Sequence, residues 1–220
     1  KNFNLVSMND IENHVSKKKL ITRDSVAVTF DDGFLNNYTI AWEILEYYRV
    51  PATFYLSTGF ISSKKKIWTD ILEIIFFNMD SDYIKVEDEI IELKTINARI
   101  TEFVKLKNKL KKFKNNHLKK FIQKISNLNN TSFDITPELY DFMTWDYIKE
   151  MDQSDLITFG AHTVDHVSLT KVSKKQAQNQ IKNSLFELSE KLKRKIKFFS
   201  YPEGQQDDYD NEIINFLKSM

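Results

Sequence analysis

Val26-Ala27-Val28-Thr29-Phe30-Asp31-Asp32-Gly33-Phe34 decides how the chain is to be read. The first half is apolar and β-prone, with Asp24 and Ser25 just upstream, and reads as a short buried strand. That strand stops on two adjacent carboxylates and a glycine. Neighbouring carboxylates at the end of a buried strand repel each other and are costly to desolvate, so they need a cation or a shared proton. Gly33 supplies the backbone freedom for an immediate turn. The competing reading is an acidic turn capping a helix that begins near Leu35, since Asp is a good N-cap.

A second stretch, Thr158-Phe159-Gly160-Ala161-His162-Thr163-Val164-Asp165-His166, shifts the balance. The chain has 4 histidines, and two of them stand here at i and i+4. On a helical turn that spacing puts both imidazoles on one face, able to hold one metal. A carboxylate from the first stretch would complete a two-His, one-carboxylate site with positions left open for water and substrate.

Thr29-Phe30-Asp31-Asp32-Gly33 and His162-Thr163-Val164-Asp165-His166 resemble the first two motifs of the polysaccharide deacetylases, the NodB-homology enzymes of carbohydrate esterase family 4. Phe199-Ser200-Tyr201-Pro202-Glu203-Gly204 resembles the third. The resemblance covers residues 20–62 and 140–219. It implies an α/β fold, a distorted (β/α) barrel of NodB type, and a metal-dependent hydrolase that removes N-acetyl groups from a polysaccharide or oligosaccharide. It further implies that Asp32, His162 and His166 hold a divalent metal, commonly zinc, and that Asp31 is the catalytic base. The backbone N–H of Glu203 would steady the oxyanion, Tyr201 and Pro202 would meet substrate, and Thr163 would order the histidine loop. A cell-envelope or extracytoplasmic location and an N-acetylated glycan partner follow from the same resemblance. Two departures stand out. Ser200 occupies the place where many members carry an Arg that orients the catalytic carboxylate, and Glu203 replaces an aromatic residue.

Composition bounds the alternatives. The 220 residues suffice for one sizeable core, read as a single domain over 1–220. A net charge of +1 gives no global argument for nucleic acid. The absence of cysteine excludes disulfides and thiolate metal sites. No apolar run approaches the length of a membrane span. A zinc protease of the His-Glu-x-x-His type is excluded because position 163 is Thr. A non-haem iron oxygenase also suits two His and one carboxylate but leaves the Asp-Asp-Gly and Tyr-Pro-x-Gly contexts unexplained. A catalytically silent glycan-binding relative is the alternative within the same fold. His14 and His117 fall outside the motifs and read as surface histidines.

Along the chain, Ser7 with Asp10 marks a helix start. Residues 36–49 read as a helix with Ile40, Ile44, Leu45 and Tyr48 inward, and 52–57 as a second strand, so the unit is βαβ and the sheet parallel. Residues 62–135 read as a mainly helical insertion, with an apolar helix over 67–77 and a small hairpin over 83–93. Residues 94–124 hold 11 basic residues against the single acid Glu102, with Ile96, Ile100, Phe103, Leu106, Leu110 and Phe113 at helical spacing. A solvated basic face is the simplest reading of this segment; contact with an anionic glycan or a membrane surface is the sharper one. Thr136-Pro137 starts a helix, Thr144 starts another, 155–161 and 197–201 are strands, and Ser173 caps a helix to Lys193. A last helix runs over 211–219. Four core strands do not close a barrel, so the chain, which opens on Lys1, is expected to continue past Met220 and to form a partial barrel.

Overall fold

A computed structural model describes residues 3–18, 20–78, 80–131 and 138–220. Strand β1 (Asn4–Leu5) leads into helix α1 (Met8–Val15). There the Ser7 hydroxyl accepts the Asp10 N–H at 3.1 Å while the Asp10 carboxylate accepts the Ser7 N–H at 3.0 Å, the reciprocal box that the spacing predicts. The expected strand over 26–30 is split. β2 (Ser25–Val26) pairs in parallel with β1, and β3 (Val28–Phe30) enters a different sheet.

The next helix corrects the sequence reading. It opens with a π-helical turn, Asn37–Trp42, before becoming α2 (Glu43–Tyr48). Tyr38, Trp42 and Leu45, spaced i, i+4 and i+7, face the core, whereas Ile40, Ile44 and Tyr48, expected inside, are 59%, 53% and 68% exposed. β4 (Ala52–Leu56) is buried along its whole length.

The insertion forms its own apolar cluster. It contains α3 (Trp68–Glu73) with a following π turn (Ile74–Asn78), the antiparallel hairpin β5 (Tyr83–Val86) and β6 (Glu89–Glu92), and helices α4 (Ile96–Leu110) and α5 (Asn115–Leu128). Leu72, Phe76, Ile84, Leu93, Leu110 and Ile125 are its fully buried centre. From α4, Leu106 and Leu110 are buried and Phe103 packs against the same core, while Ile96 and Ile100 stay exposed. Residues 132–137, which include the expected Thr136-Pro137 helix start, lie outside the described residues.

After a 3-10 turn (Glu138–Tyr140), α6 (Trp145–Met151) leads to β7 (Ile157–Ala161), α7 (Lys174–Leu192) and α8 (Asn211–Lys218). The central sheet has the order β3-β4-β7, all parallel, with Phe30, Phe54 and Phe159 in register. The Phe30 and Phe54 rings stack at 4.8 Å. The expected strand over 197–201 is reduced to one parallel bridge, Phe199 to Ala161. The ladder stops there because the Ser200 carbonyl turns aside to meet His162 Nδ1 at 2.9 Å. Among the described residues the sheet does not close into a barrel, and the 83–93 hairpin is a separate two-stranded sheet. No described helix is long and apolar enough to cross a membrane.

Candidate metal centre

The parallel order of β3, β4 and β7 places their carboxyl ends side by side; the ends of β3 and β7 run into the first two motifs, and the third follows the Phe199 bridge to Ala161. After β3 the chain turns sharply, with Asp32 at φ 73° and Gly33 at φ 90°. The Asp32 carbonyl accepts the Ser57 N–H at 3.2 Å, and the Gly33 carbonyl accepts the Met143 N–H at 2.9 Å. A Cβ at Gly33 would lie 2.9 Å from Ile61 Cδ1 and 3.0 Å from Leu56 Cδ2, so both the conformation and the space call for glycine.

His162 continues β7, donating its N–H to the Leu56 carbonyl at 2.9 Å. The next residues are not helical, which corrects the i, i+4 argument. Thr163 (φ 65°) and His166 (φ 48°) are both left-handed, and the loop between them brings the imidazoles together. A β-branched residue with positive φ is strained and persists only where its surroundings enforce it. Here they do. The Thr163 carbonyl accepts the Thr58 N–H at 3.1 Å, the Val164 carbonyl accepts the Gly59 N–H at 2.8 Å, and the Thr163 hydroxyl accepts the Val167 N–H at 3.4 Å. Gln180 of α7 adds a clamp. Its Oε1 accepts the Val164 and Asp165 N–H groups at 3.0 and 2.8 Å, and its Nε2 donates to Asp165 Oδ2 at 3.0 Å. Asp165 is thereby tied into the loop and does not join the two histidines.

Asp32, His162 and His166 converge as expected. One donor atom from each lies within 4.8 Å of the others. Asp32 Oδ1 stands 3.5 Å from His162 Nε2 and 3.2 Å from His166 Nε2. The Ser200 carbonyl can only accept, so His162 carries its proton on Nδ1 and turns the Nε2 lone pair toward Asp32. Burial lowers the pKa of His162, helped by the neighbouring His166, and burial lowers that of His166. Both imidazoles are thus held neutral at neutral pH. Burial likewise pushes the Asp32 carboxyl up to about 6, opposed by His162 and reinforced by Asp31 and Glu203. Asp32 Oδ1 is buried yet has no hydrogen-bond partner. A buried acceptor faced by the His162 lone pair and by His166 Nε2 is uncompensated as it stands, and a divalent cation held by all three groups would satisfy it. The donor set of two nitrogens and one carboxylate oxygen fits zinc or another borderline divalent metal.

The other expected site residues fall into two groups. Asp31 is exposed beside the cluster, and its charge acts on Asp32, on both histidines and on the Tyr55 phenol, which burial first and Asp31 second push up to about 12. Glu203 is also close, at φ 65°, with its charge acting on Asp32 and His166. Tyr201 and Pro202 lie differently. The Tyr201 ring stacks on Tyr209 at 4.4 Å and packs with the α7–α8 cluster, and Pro202 is buried.

Three residues escaped the sequence reading. Gln180 has no local signal, because its role depends on where α7 packs. Lys111 was one of many basic residues, yet its Nζ meets Glu203 Oε2 at 2.5 Å. Asp70 caps α3 by accepting the Ile67 N–H at 3.3 Å, and burial pushes its carboxyl up to about 7. Beside the cluster opens a cavity of about 720 Å³ between the insertion and the motif loops, with His166, Glu203, Trp68, Phe113 and Lys111 in its wall.

Comparison with known proteins gives a consistent picture. No curated protein sequence matches. Among solved structures, the Streptococcus pyogenes deacetylase PplD in complex with acetate superposes with a TM-score of 0.57 at 18% identity, over 99% of this chain and 62% of that one. The deacetylase domain of BpsB from Bordetella bronchiseptica gives 0.55 at 16% identity, over 99% and 69%. IcaB from Ammonifex degensii gives 0.58 at 18%, over 99% and 66%. The chain therefore spans about two thirds of the length of these structures, and the likeness is one of fold. The sequence profile of the polysaccharide deacetylases matches residues 18–220, which include all three motifs, and the chain belongs to the polysaccharide deacetylase family.

Proposed function

We propose that residues 1–220 act as one carbohydrate N-deacetylase domain, with Asp32, His162 and His166 as its metal ligands and zinc as the metal. The observation that carries this reading is the meeting of those three side chains around an unpartnered buried carboxylate oxygen, with Asp31 beside them. A divalent cation at this position supplies Lewis acidity, lowering the pKa of water and polarising the acyl carbonyl.

The chain's own groups account for the rest. Neutral His162 and His166 present lone pairs, as ligation requires. The Asp31 carboxylate takes a proton from the attacking water. The water oxygen adds to the acetyl carbon; Asp31 then returns the proton it took to the sugar nitrogen as the amide C–N bond breaks, so the nitrogen departs as an amine and the acetyl group as acetate. The Glu203 backbone N–H donates to the oxyanion, with Pro202 stiffening the loop before it through its fixed φ. The substrate class is an N-acetylated glycan, and the cavity beside His166 is the place for it.

Acetate release from a panel of N-acetylated glycans, with and without chelator, tests this reading. Release that chelator abolishes and zinc restores supports it. Glycan binding with no acetate from any member of the panel would place the chain as a silent relative instead.

A further inference from the structure

The basic segment 94–124 is not used by the function as described, yet two of its lysines reach carboxylates on the core, one on the second motif loop and one on the third. Lys111, the residue after α4, contacts Glu203 Oε2 at 2.5 Å. Lys119 on α5 lies 3.7 Å from Asp165 Oδ2. The two contacts are unequal. The Lys119 and Asp165 side chains are 61% and 35% exposed, and such a long exposed pair contributes little. The Lys111 and Glu203 side chains are 38% and 19% exposed, and their short contact is a charge-assisted hydrogen bond.

Glu203 is where such a bond matters. It and Gly204 are left-handed in succession, at φ 65° and 64°. A non-glycine residue holds that conformation only when its surroundings fix it. On the far side of the turn, the Gln205 N–H donates to Asp208 Oδ2 at 3.1 Å. On the near side the Glu203 side chain has Lys111.

We propose that Lys111, contributed by the insertion, is a positioning residue of the active site: its ammonium pins the Glu203 side chain and so fixes the turn that carries the Glu203 N–H. The insertion is then part of the catalytic apparatus, clamped onto the third motif. The catalytic half of this inference rests on the deacetylase reading; the clamp itself does not.

Two readouts on the full zinc-loaded chain separate them. With an N-acetylated chitooligosaccharide as probe, Lys111→Ala is expected to lower kcat roughly tenfold while KM changes less than about twofold, because a loosened oxyanion donor weakens the transition state more than the ground state. Lys111→Arg is expected to recover most of the loss. Glu203→Gln should match Lys111→Ala, and the double variant should be no worse than either. By hydrogen exchange, residues 200–206 should open in Lys111→Ala and stay protected in Lys124→Ala, whose partner is Glu87 at 3.8 Å on the far side of the insertion. If the parent chain releases no acetate, the deacetylase reading fails and exchange alone decides the clamp. Full kcat in Lys111→Ala, additive losses in the double variant, or unchanged exchange over 200–206 overturns the proposal.

Discussion

Asp32→Asn is expected to stabilise the metal-free protein while destroying its response to metal. Burial raises the Asp32 carboxyl from its ordinary 3.8 to about 6. At roughly 1.4 kcal/mol per unit, the ionised carboxylate opposes folding by about 3 kcal/mol at pH 8. Below pH 3.8 the group is neutral in both folded and unfolded chains, and this opposition vanishes. Between 3.8 and about 6 the unfolded chain ionises first, so stability falls as pH rises; above that the loss is constant. Asparagine has no charge to desolvate, and its amide can donate to the imidazole Nε2 atoms that now stand 3.5 and 3.2 Å from Asp32 Oδ1. In chelator at pH 8 the variant should melt roughly 6–12 °C above the parent, given about 2–4 °C per kcal/mol for a chain of this size. At pH 4.5 the advantage should shrink to about 1 kcal/mol. Added zinc should raise the melting temperature of the parent and leave the variant unmoved. The assay is thermal melting across this pH range with chelator or zinc. A variant that melts below the parent in chelator at pH 8, or a gain that does not change with pH, would refute the reasoning.

Gly33→Ala forces a Cβ into a φ of 90° and within 3.0 Å of Ile61 and Leu56, and should cost about 2–3 kcal/mol, read by chemical denaturation. Gln180→Ala removes the acceptor shared by the Val164 and Asp165 N–H groups; a loss of about 1–3 kcal/mol is expected, with faster hydrogen exchange confined to residues 163–167.

The motifs were legible because each is a dense local signal, a β-prone run ending in residues costly to place anywhere but at a site. Asp31-Asp32-Gly33 and the two histidines needed no knowledge of packing. What failed depended on packing and backbone detail. The inner face of the helix over 37–48 was misread because Ile40-Ile44 and Tyr38-Trp42 both repeat at i, i+4, and the choice between them is made by packing, where Tyr38 stacks on Tyr147 at 4.1 Å. The histidine pair converges through two left-handed residues and not through a helical face, so the meeting of the two rings was anticipated by an inexact geometry. Phe199 was read as mid-strand because its apolar neighbours are β-prone; the competing bond from Ser200 to His162 is a tertiary fact. Gln180 and Lys111 act on the site from α7 and from the end of α4, across distances in sequence that no local pattern spans.

In the proposed mechanism Asp31 is the proton acceptor beside a metal held by Asp32, His162 and His166. The most direct measurement is zinc content and acetate turnover on the same preparations of the parent, Asp31→Asn and His162→Ala, with an N-acetylated oligosaccharide that the parent deacetylates. One zinc per chain with acetate release is expected in the parent, zinc retained with turnover lost in Asp31→Asn, and both lost in His162→Ala. Asp31→Asn with near-parental kcat, or His162→Ala with full zinc content, would contradict it.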